Sequence, residues 1–336
     1  MTDPASPSDP HPPQHHVPPP ANPRERKTPL PIWQPNRGEV DPTAPSRLEQ
    51  IMASPSYRRA DRDIDFLERS EMRGLRLQLE YEKAELLLRE AGVDHSIVAF
   101  GSTRITEPAL ARRKRDEAAA ELAARPDDPA RARRLAVAER IVAKSRYYDI
   151  AREFGRIVAN ANGPPANCRM VLMTGGGPGM MEAANRGVHD MGGRTVGLNI
   201  DLPHEQFPNC YLTPELSLRF RYFALRKMHF MLRAKAIVAF PGGFGTIDEL
   251  FEALTLIQTR TIAPLPVVLV GEEFWRGVVD FDYLAAEGVI DPEDLDIFWF
   301  AETATEIWNG ILDWHELNGT PLPNDLATGQ QIGEPK

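Results

Sequence analysis

The sequence predicts an α/β fold, a doubly wound and mostly parallel Rossmann-like sheet. Short apolar segments alternate with longer amphipathic ones from about residue 93 to residue 320, and this alternation is typical of βαβ units. Three of the apolar segments end at glycine-rich turns. Ligands of such sheets lie outside the carboxyl ends of the strands, so we expect the three turns to converge on one crevice.

The N-terminal part of the chain is expected to be helical before the sheet begins. Residues 47–92 carry leucines at helical spacing among many charges and end at Gly92, a typical helix stop. Residues 96–101 are a short apolar run that ends at glycine, which predicts the first parallel strand. Residues 107–162 are rich in Ala, Arg and Glu, which predicts two helices broken near residues 126–129.

The remaining elements follow in alternation. Apolar runs predict strands, amphipathic runs predict helices, and Gly192-Gly193 closes one of the helices. The predicted strands cover residues 169–174, 194–200, 235–240, 265–270 and 297–300, and the predicted helices cover residues 180–191, 219–233, 250–259, 272–287 and 305–317.

The domain organisation follows from composition. Residues 1–45 are dense in proline and too poor in apolar residues to offset chain entropy, so they are predicted to be a disordered tail. A helical extension is predicted over residues 46–92. The Rossmann-like domain covers residues 93–320, with a helical insertion at about 107–145, and residues 321–336 are predicted to be a flexible C-terminal tail.

Charge and cysteine content exclude several classes of function. The formal net charge of −9 argues against a dedicated nucleic-acid-binding protein. Two cysteines without a C-x-x-C pair predict neither a disulfide framework nor a metal site, and no cofactor is expected. No apolar run approaches the roughly 20 residues that span a bilayer. A cytoplasmic protein without a membrane partner is therefore expected.

The most informative segment is Pro-Gly-Gly-Phe-Gly-Thr-Ile-Asp-Glu at residues 241–249. It lies between an apolar run and an amphipathic helix, and the N–H groups of a helix N-terminus favour an anion such as phosphate. Its phosphate-binding candidates are Gly242, Gly243, Gly245 and Thr246. Glu249 has two interpretations, chemistry on the ligand or a capping box with Thr246, and the spacing alone favours the capping box.

The other two glycine turns extend the predicted crevice. Their candidate ligand-binding residues are Gly101 and Ser102 in the first turn, and Gly175, Gly176 and Gly177 in the second. The second turn does not complete the dinucleotide motif G-x-G-x-x-G, because Met180 takes the place of the third glycine. The chain also lacks the P-loop, the serine hydrolase elbow and the zincin motif.

These motifs together resemble the LOG (Lonely Guy) family, whose members hydrolyse nucleoside 5′-monophosphates and are often mislabelled as lysine decarboxylases. The segment at residues 241–249 is similar to its PGGxGTxxE motif, and Arg226-Lys227 resembles its Arg-Lys pair. The segments AFGSTR and TGGGPGMMEAANRG resemble its other two loops, and the resemblance covers about residues 96–317. It implies that Arg226 and Glu249 are the catalytic pair, that Lys227 assists in binding, and that the protein is a homodimer or larger homo-oligomer.

Departures from the family pattern affect the expected substrate. Members that act on cytokinin precursors are short, whereas this chain adds a tail, a helical extension and an insertion. We therefore expect AMP or another common nucleotide in preference to a cytokinin riboside monophosphate. A non-catalytic nucleotide or cofactor carrier on the same fold remains an alternative. A pyridoxal-dependent decarboxylase is disfavoured, because neither Lys227 nor Lys235 lies in a Schiff-base setting.

Overall fold

The computed structural model describes residues 41–161, 170–203 and 207–322. Most of the predicted N-terminal tail, and residues 323–336 of the predicted C-terminal tail, lie outside the described residues. The chain divides into two compact units, Met1–Arg69 and Ser70–Lys336. The described part of the first unit contains helices α1 (Ala44–Ala53) and α2 (Ile64–Leu67), with short 3-10 turns between them.

The second unit is built on a parallel sheet. Seven strands are described in it, and they pair in the order β4-β3-β2-β1-β5-β6-β7 with every neighbouring pair parallel. They are β1 (His95–Phe100), β2 (Met170–Thr174), β3 (Thr195–Ile200), β4 (Ser217–Phe220), β5 (Ala234–Ala239), β6 (Val267–Val270) and β7 (Phe298–Ala301). The predicted doubly wound α/β fold is confirmed.

Helices connect these strands. The described helices of this unit are α3 (Arg73–Glu90), α4 (Pro108–Ala124), α5 (Pro129–Lys144), α6 (Arg146–Ala161), α7 (Met180–Asp190), α8 (Phe223–Leu232), α9 (Phe244–Gln258), α10 (Glu272–Val278), α11 (Phe281–Ala286) and α12 (Ala304–Leu317). The structure groups α3 with the sheet, whereas the sequence alone places it in the extension. The predicted insertion forms two helices, α4 and α5, which pack against each other.

The structure corrects several predicted elements. Residues 107–162 were predicted to hold two helices, but the described part holds three, because the chain bends again at Ser145. The predicted helix at 272–287 is two helices, with Asp280 capping the second through its bond from the Tyr283 N–H. The predicted helix at 219–233 was wrong at its start, since strand β4 precedes α8. No glycine or proline separates these two elements, so the turn signal was missing.

The core lies on both faces of the sheet. Successive residues of β1 point to opposite faces, so Ile97 and Ala99 belong to one buried cluster and Val98 and Phe100 belong to the other. Residues of α6, α7 and α12 complete the first cluster, and residues of α3, α8, α9 and α10 complete the second. The continuous apolar runs of the sequence arise because the central strands are covered on both sides.

Two glycines allow α6 and α7 to pack closely. A Cβ on Gly187 would lie 1.9 Å from the Arg152 carbonyl oxygen, and a Cβ on Gly155 would lie 2.2 Å from the Ala184 carbonyl oxygen. Both obstacles are backbone atoms, which cannot move without separating the helices. The absence of a side chain at these positions therefore sets the distance between α6 and α7.

We expect Gly187→Ala to lower the free energy of unfolding by about 1–3 kcal/mol, the usual range for overpacking. The measurement is urea denaturation followed by circular dichroism. Gly74→Ala is the matched control, because Gly74 is also helical and has nothing within 4 Å of its Cβ position. That control should be neutral or slightly stabilising through helix propensity. Equal stability of the two variants would contradict the close-packing argument.

Candidate active site

A cleft of about 560 Å³ opens at the carboxyl ends of the central strands. The order β2-β1-β5 reverses the direction of the chain crossovers at β1, and such a switch point is the usual ligand site of an open parallel sheet. All three glycine turns contribute to its walls. The sequence-predicted residues that line it are Gly101, Ser102, Gly175, Arg226, Gly243, Gly245, Thr246 and Glu249.

Ser102 connects the three turns through its backbone. Its N–H donates to the Pro241 carbonyl at 3.0 Å, and its carbonyl accepts from the Met180 N–H at 3.0 Å. Its hydroxyl accepts from the Arg104 N–H, also at 3.0 Å. Gly179 passes so close that a Cβ there would lie 2.3 Å from the Ser102 carbonyl oxygen. The turns therefore form one hydrogen-bonded frame around the cleft.

The turn after β2 is fixed from behind by buried polar side chains. Thr174 Oγ1 donates to Asn185 Oδ1 at 2.8 Å and accepts from the Gly176 N–H at 3.0 Å. Asn209 Nδ2 donates to the Gly177 carbonyl and to Asn185 Oδ1, each at 3.0 Å. Buried polar groups satisfied in this way hold a loop in one conformation.

Helix α9 begins earlier than predicted. Its first residue is Phe244, and Gly243 is the N-cap residue, with the Ile247 N–H donating to the Gly243 carbonyl at 3.0 Å. The N–H groups of Phe244, Gly245 and Thr246 precede this first repeat and therefore have no helical acceptor. The capping-box interpretation of Glu249 was wrong, because Thr246 is the third residue of the helix and Glu249 the sixth. The helix N-terminus opens into the cleft and can accept an anion.

Glu249 is a buried residue of the cleft lining. Only 5% of the surface of Glu249 is exposed, and Glu249 Oε2 has no hydrogen-bond partner among the described residues. Its Oε1 lies 3.7 Å from Arg226 Nη1, beyond hydrogen-bond distance. Burial raises the pKa of Glu249 to about 7, although Arg226 and Lys227 oppose the change. A carboxyl group with this pKa can take up or release a proton at neutral pH.

Arg226 is held beside Glu249 by two contacts. Its Nε donates to the Leu198 carbonyl at 2.8 Å, and its guanidinium lies 5.1 Å from the centre of the buried Phe230 ring. Its side chain is 13% exposed. Gly175 leaves the space that the guanidinium occupies, since a Cβ there would lie 2.5 Å from Arg226 Nη2. The fork of the guanidinium is therefore fixed at the cleft wall.

Four sequence-predicted residues lie outside the lining of this cleft. Lys227 Nζ forms ion pairs with Asp248 at 2.8 Å and Glu252 at 3.1 Å. Gly176 has a φ of 69° and packs against the Asn199 side chain. The Gly177 carbonyl is taken by Asn209, as described above. Gly242 leaves room for Thr246, because a Cβ there would lie 2.1 Å from Thr246 Oγ1.

Several lining residues were missed by sequence reasoning. Asn199 and Ile200 line the cleft from the end of β3, where the strand-end rule could have found them. Arg104 lines the cleft from the first turn, two residues after Ser102. Phe223 lines the cleft from the start of α8, but the prediction of one long helix over 219–233 gave no reason to single it out.

Among residues 41–161, 170–203 and 207–322, no helix combines the length and the apolar content that a membrane crossing requires. In the same ranges, no group of three or more His, Cys, Asp or Glu side chains is arranged to hold a metal ion.

The part of the chain that contains the cleft is similar in sequence to known proteins. A family model described as "Possible lysine decarboxylase" matches residues 181–311. Cytokinin riboside 5′-monophosphate phosphoribohydrolase LOG3 of Arabidopsis thaliana is 32% identical over 188 residues, covering 53% of this chain and 82% of the relative. The enzyme of the same description named LOG, from Oryza sativa subsp. japonica, is 31% identical over 170 residues, covering 49% and 65% respectively.

Solved structures give weaker similarity. An X-ray structure of a structural genomics target is 22% identical with a TM-score of 0.40, covering 65% of this chain and 98% of that one. A molybdenum cofactor carrier protein from Chlamydomonas reinhardtii is 19% identical with a TM-score of 0.32, covering 52% and 89%.

Proposed function

This chain belongs to the LOG family, and we propose that it hydrolyses the N-glycosidic bond of a nucleoside 5′-monophosphate to free base and ribose 5-phosphate. The observation that carries the proposal is the buried Glu249, whose carboxyl group lies 3.7 Å from Arg226 in a cleft that ends at a helix N-terminus. The cleft thus offers an anion site and a titratable carboxyl group together, as this reaction requires.

The 5′-phosphate binds at the N-terminus of α9. The N–H groups of Phe244, Gly245 and Thr246 donate to its oxygens, and the helix dipole adds favourable charge. The Thr246 hydroxyl, which Gly242 leaves room for, supplies a further donor. This anchoring places the ribose over Glu249, which lies one turn further along the same helix.

Glu249 acts on the ribose as a carboxylate. The bond between C1′ and the base nitrogen breaks with its electrons leaving on the base, and the ribose passes through an oxocarbenium-like transition state that the negative charge stabilises. A water molecule then adds to C1′ and gives its proton to Glu249. The departing base takes up a proton either from Glu249 itself or from solvent while Glu249 releases its proton to solvent, and both routes return the enzyme to its starting state.

Arg226 binds and orients the substrate. Its guanidinium is fixed by Leu198 and Phe230, so its donors can clamp ribose hydroxyl or phosphate oxygens with little loss of side-chain entropy. It also favours the ionised form of Glu249. The two residues thus act as a unit, in which the arginine sets both the position of the sugar and the charge of the carboxyl group.

We expect Gly175→Ala to lower kcat/KM by about tenfold or more, because moving a catalytic group out of position by about 1 Å can lower the rate by this much or more. The new methyl group would displace the end of the flexible Arg226 side chain, so the fold should persist. Steady-state kinetics and a thermal melt measure the two effects. Gly277→Ala is the control, because nothing lies within 4 Å of its Cβ position. Full activity in Gly175→Ala would show that the position of Arg226 is not critical.

The preferred substrate is AMP or another common nucleoside monophosphate. The curated relatives are named for cytokinin riboside 5′-monophosphate, but their similarity covers about half of this chain. We expect the predicted insertion, which contains helices α4 and α5, to distinguish this chain from those relatives. A homodimer or larger assembly and a cytoplasmic location remain predictions. Light scattering of the purified protein tests the assembly.

Incubation with a panel of nucleotides tests the proposal. The panel contains AMP, GMP, CMP, UMP and a cytokinin riboside monophosphate, and chromatography follows free base and ribose 5-phosphate. Release of both products that requires Glu249 would support the proposed reaction and identify the substrate. Nucleotide binding without release from any member of the panel would instead favour a carrier.

A further inference from the structure

Three acidic residues lie on the second and third turns of α9. Asp248, Glu249 and Glu252 occupy positions on two successive turns, and Asp248 and Glu249 both line the cleft. A nucleotide phosphate brings up to two more negative charges to the same helix end. Such an arrangement would repel its own substrate unless a cation compensates for part of this charge.

Lys227 is placed to compensate for it. Its Nζ lies 2.8 Å from Asp248 Oδ1 and 3.1 Å from Glu252 Oε2, and its side chain is 18% exposed. Burial opposes its charge, but the bonds to Asp248 and Glu252 raise the pKa of Lys227 above its usual value. Lys227 therefore carries its positive charge between two carboxylates of α9.

We propose that Lys227 is a positioning residue, which neutralises Asp248 and Glu252 so that the cleft accepts a phosphate and Glu249 ionises, and that it does not bind the substrate. This inference rests on the proposed function for its kinetic consequences. It departs from the role that the family resemblance implies for Lys227, which is direct assistance in binding.

The direction of the side chain supports the distinction. Adjacent side chains of a helix point about 100° apart. Because Arg226 faces the cleft, the Lys227 side chain leaves the helix in a different direction. Lys227 lines no part of the described cleft, and its Nζ lies at ion-pair distance from the carboxylates of Asp248 and Glu252. The adjacent cations thus have separate tasks, with Arg226 facing the ligand and Lys227 facing the acids of α9.

The charged groups that act on Glu249 come from two helices. Arg226 and Lys227 of α8 favour its ionised form, whereas Asp248 and Glu252 of α9 disfavour it. Removal of Lys227 takes away one favourable charge and leaves both unfavourable charges without their partner. The ionisation of Glu249 should then require a higher pH.

Lys227→Met tests this inference, with Lys227→Arg as the conservative control. We expect Lys227→Met to lower kcat/KM at pH 7 by about tenfold or more and to move the acidic limb of its pH profile upward by about one unit, because one uncompensated charge shifts a nearby pKa by this order. Lys227→Arg should retain most of the activity. An unchanged pH profile in Lys227→Met would overturn the inference.

Removal of the acids separates compensation from direct binding. The triple variant Lys227→Met/Asp248→Asn/Glu252→Gln should recover the activity and pH profile of Asp248→Asn/Glu252→Gln, because no uncompensated acid remains. A direct phosphate ligand would not be rescued, and the triple variant would then stay about as weak as Lys227→Met in ribose 5-phosphate binding. If Lys227→Met alone fails to fold, the comparison of the triple and double variants still distinguishes charge compensation from direct binding.

A measurement without turnover keeps the inference separate from the proposed function. The stability difference between each protein and its Glu249→Gln form, followed over pH, reports the ionisation of Glu249. Its midpoint should move to higher pH in the Lys227→Met background and return in the triple variant. If the wild-type protein hydrolysed none of the nucleotides, the proposed function would be wrong, and this midpoint would still test the role of Lys227.

Discussion

Glu249→Gln is expected to bind a nucleoside 5′-monophosphate with nearly wild-type affinity and to lose turnover by about 10²–10⁴-fold, the usual contribution of a positioned acid or base. The amide keeps the shape of the side chain but can neither carry the negative charge that stabilises the ribose nor accept a proton from water. The phosphate contacts at the N-terminus of α9 are unchanged, so binding and chemistry should separate.

The same substitution should stabilise the protein at alkaline pH. The pKa of Glu249 rises from 4.5 to about 7 on folding, so the folded state prefers the protonated form. Well below pH 4.5 Glu249 is protonated in both the folded and the unfolded state, so its ionisation does not affect the free energy of unfolding. Between pH 4.5 and 7 the unfolded chain ionises this group while the folded protein keeps it protonated, so by about pH 7 and above the wild type has lost about 3 kcal/mol of stability relative to a protein with a neutral side chain there.

Thermal or urea unfolding at pH 5 and pH 8 measures this effect. Glu249→Gln should exceed the wild type in stability mainly at pH 8, while Glu215→Gln, which alters an exposed glutamate, should show little change at either pH. A combination of lost turnover with added stability is typical of a residue retained for function. If Glu249→Gln and the wild type were equally stable at pH 5 and at pH 8, the pKa of Glu249 would not be raised by folding.

The fold could be predicted because its signals are local and repeated. Buried strands such as β1 and β6 read as continuous apolar runs, and glycine turns mark their ends. Strand β4 could not be predicted in the same way. Its Arg219 is exposed at the sheet edge, and pairing with β3, distant in sequence, is what makes the segment extended.

The candidate site shows a similar division. Convergence of the three turns follows from topology, so Gly101, Gly175 and Gly243 could be predicted to share a cleft. The orientation of side chains on α8 could not be predicted, because it depends on where the helix starts. The start of α9 decided the interpretation of Glu249 as well, since a capping box requires Thr246 at the N-cap and the helix begins at Phe244.

Arg226 is the residue for which the structure predicts the next largest loss. Arg226→Ala removes the bond to the Leu198 carbonyl and the charge beside Glu249, so we expect kcat/KM to fall by about 10²–10³-fold, as for other lost electrostatic contacts to a transition state. Because Arg226 lowers the pKa of Glu249, the acidic limb of the pH profile should also move to higher pH.

Arg226→Lys separates charge from geometry. Lysine keeps a positive charge near Glu249, so the acidic limb should stay close to that of the wild type. It cannot reproduce the planar fork or its packing on Phe230, so kcat/KM should remain about 10²-fold low. Arg221→Lys, at an exposed position shortly before α8, is the matched control and should keep full activity. Near-normal turnover in Arg226→Lys would mean that charge alone suffices, and the role of Arg226 would then reduce to holding Glu249 in its ionised form.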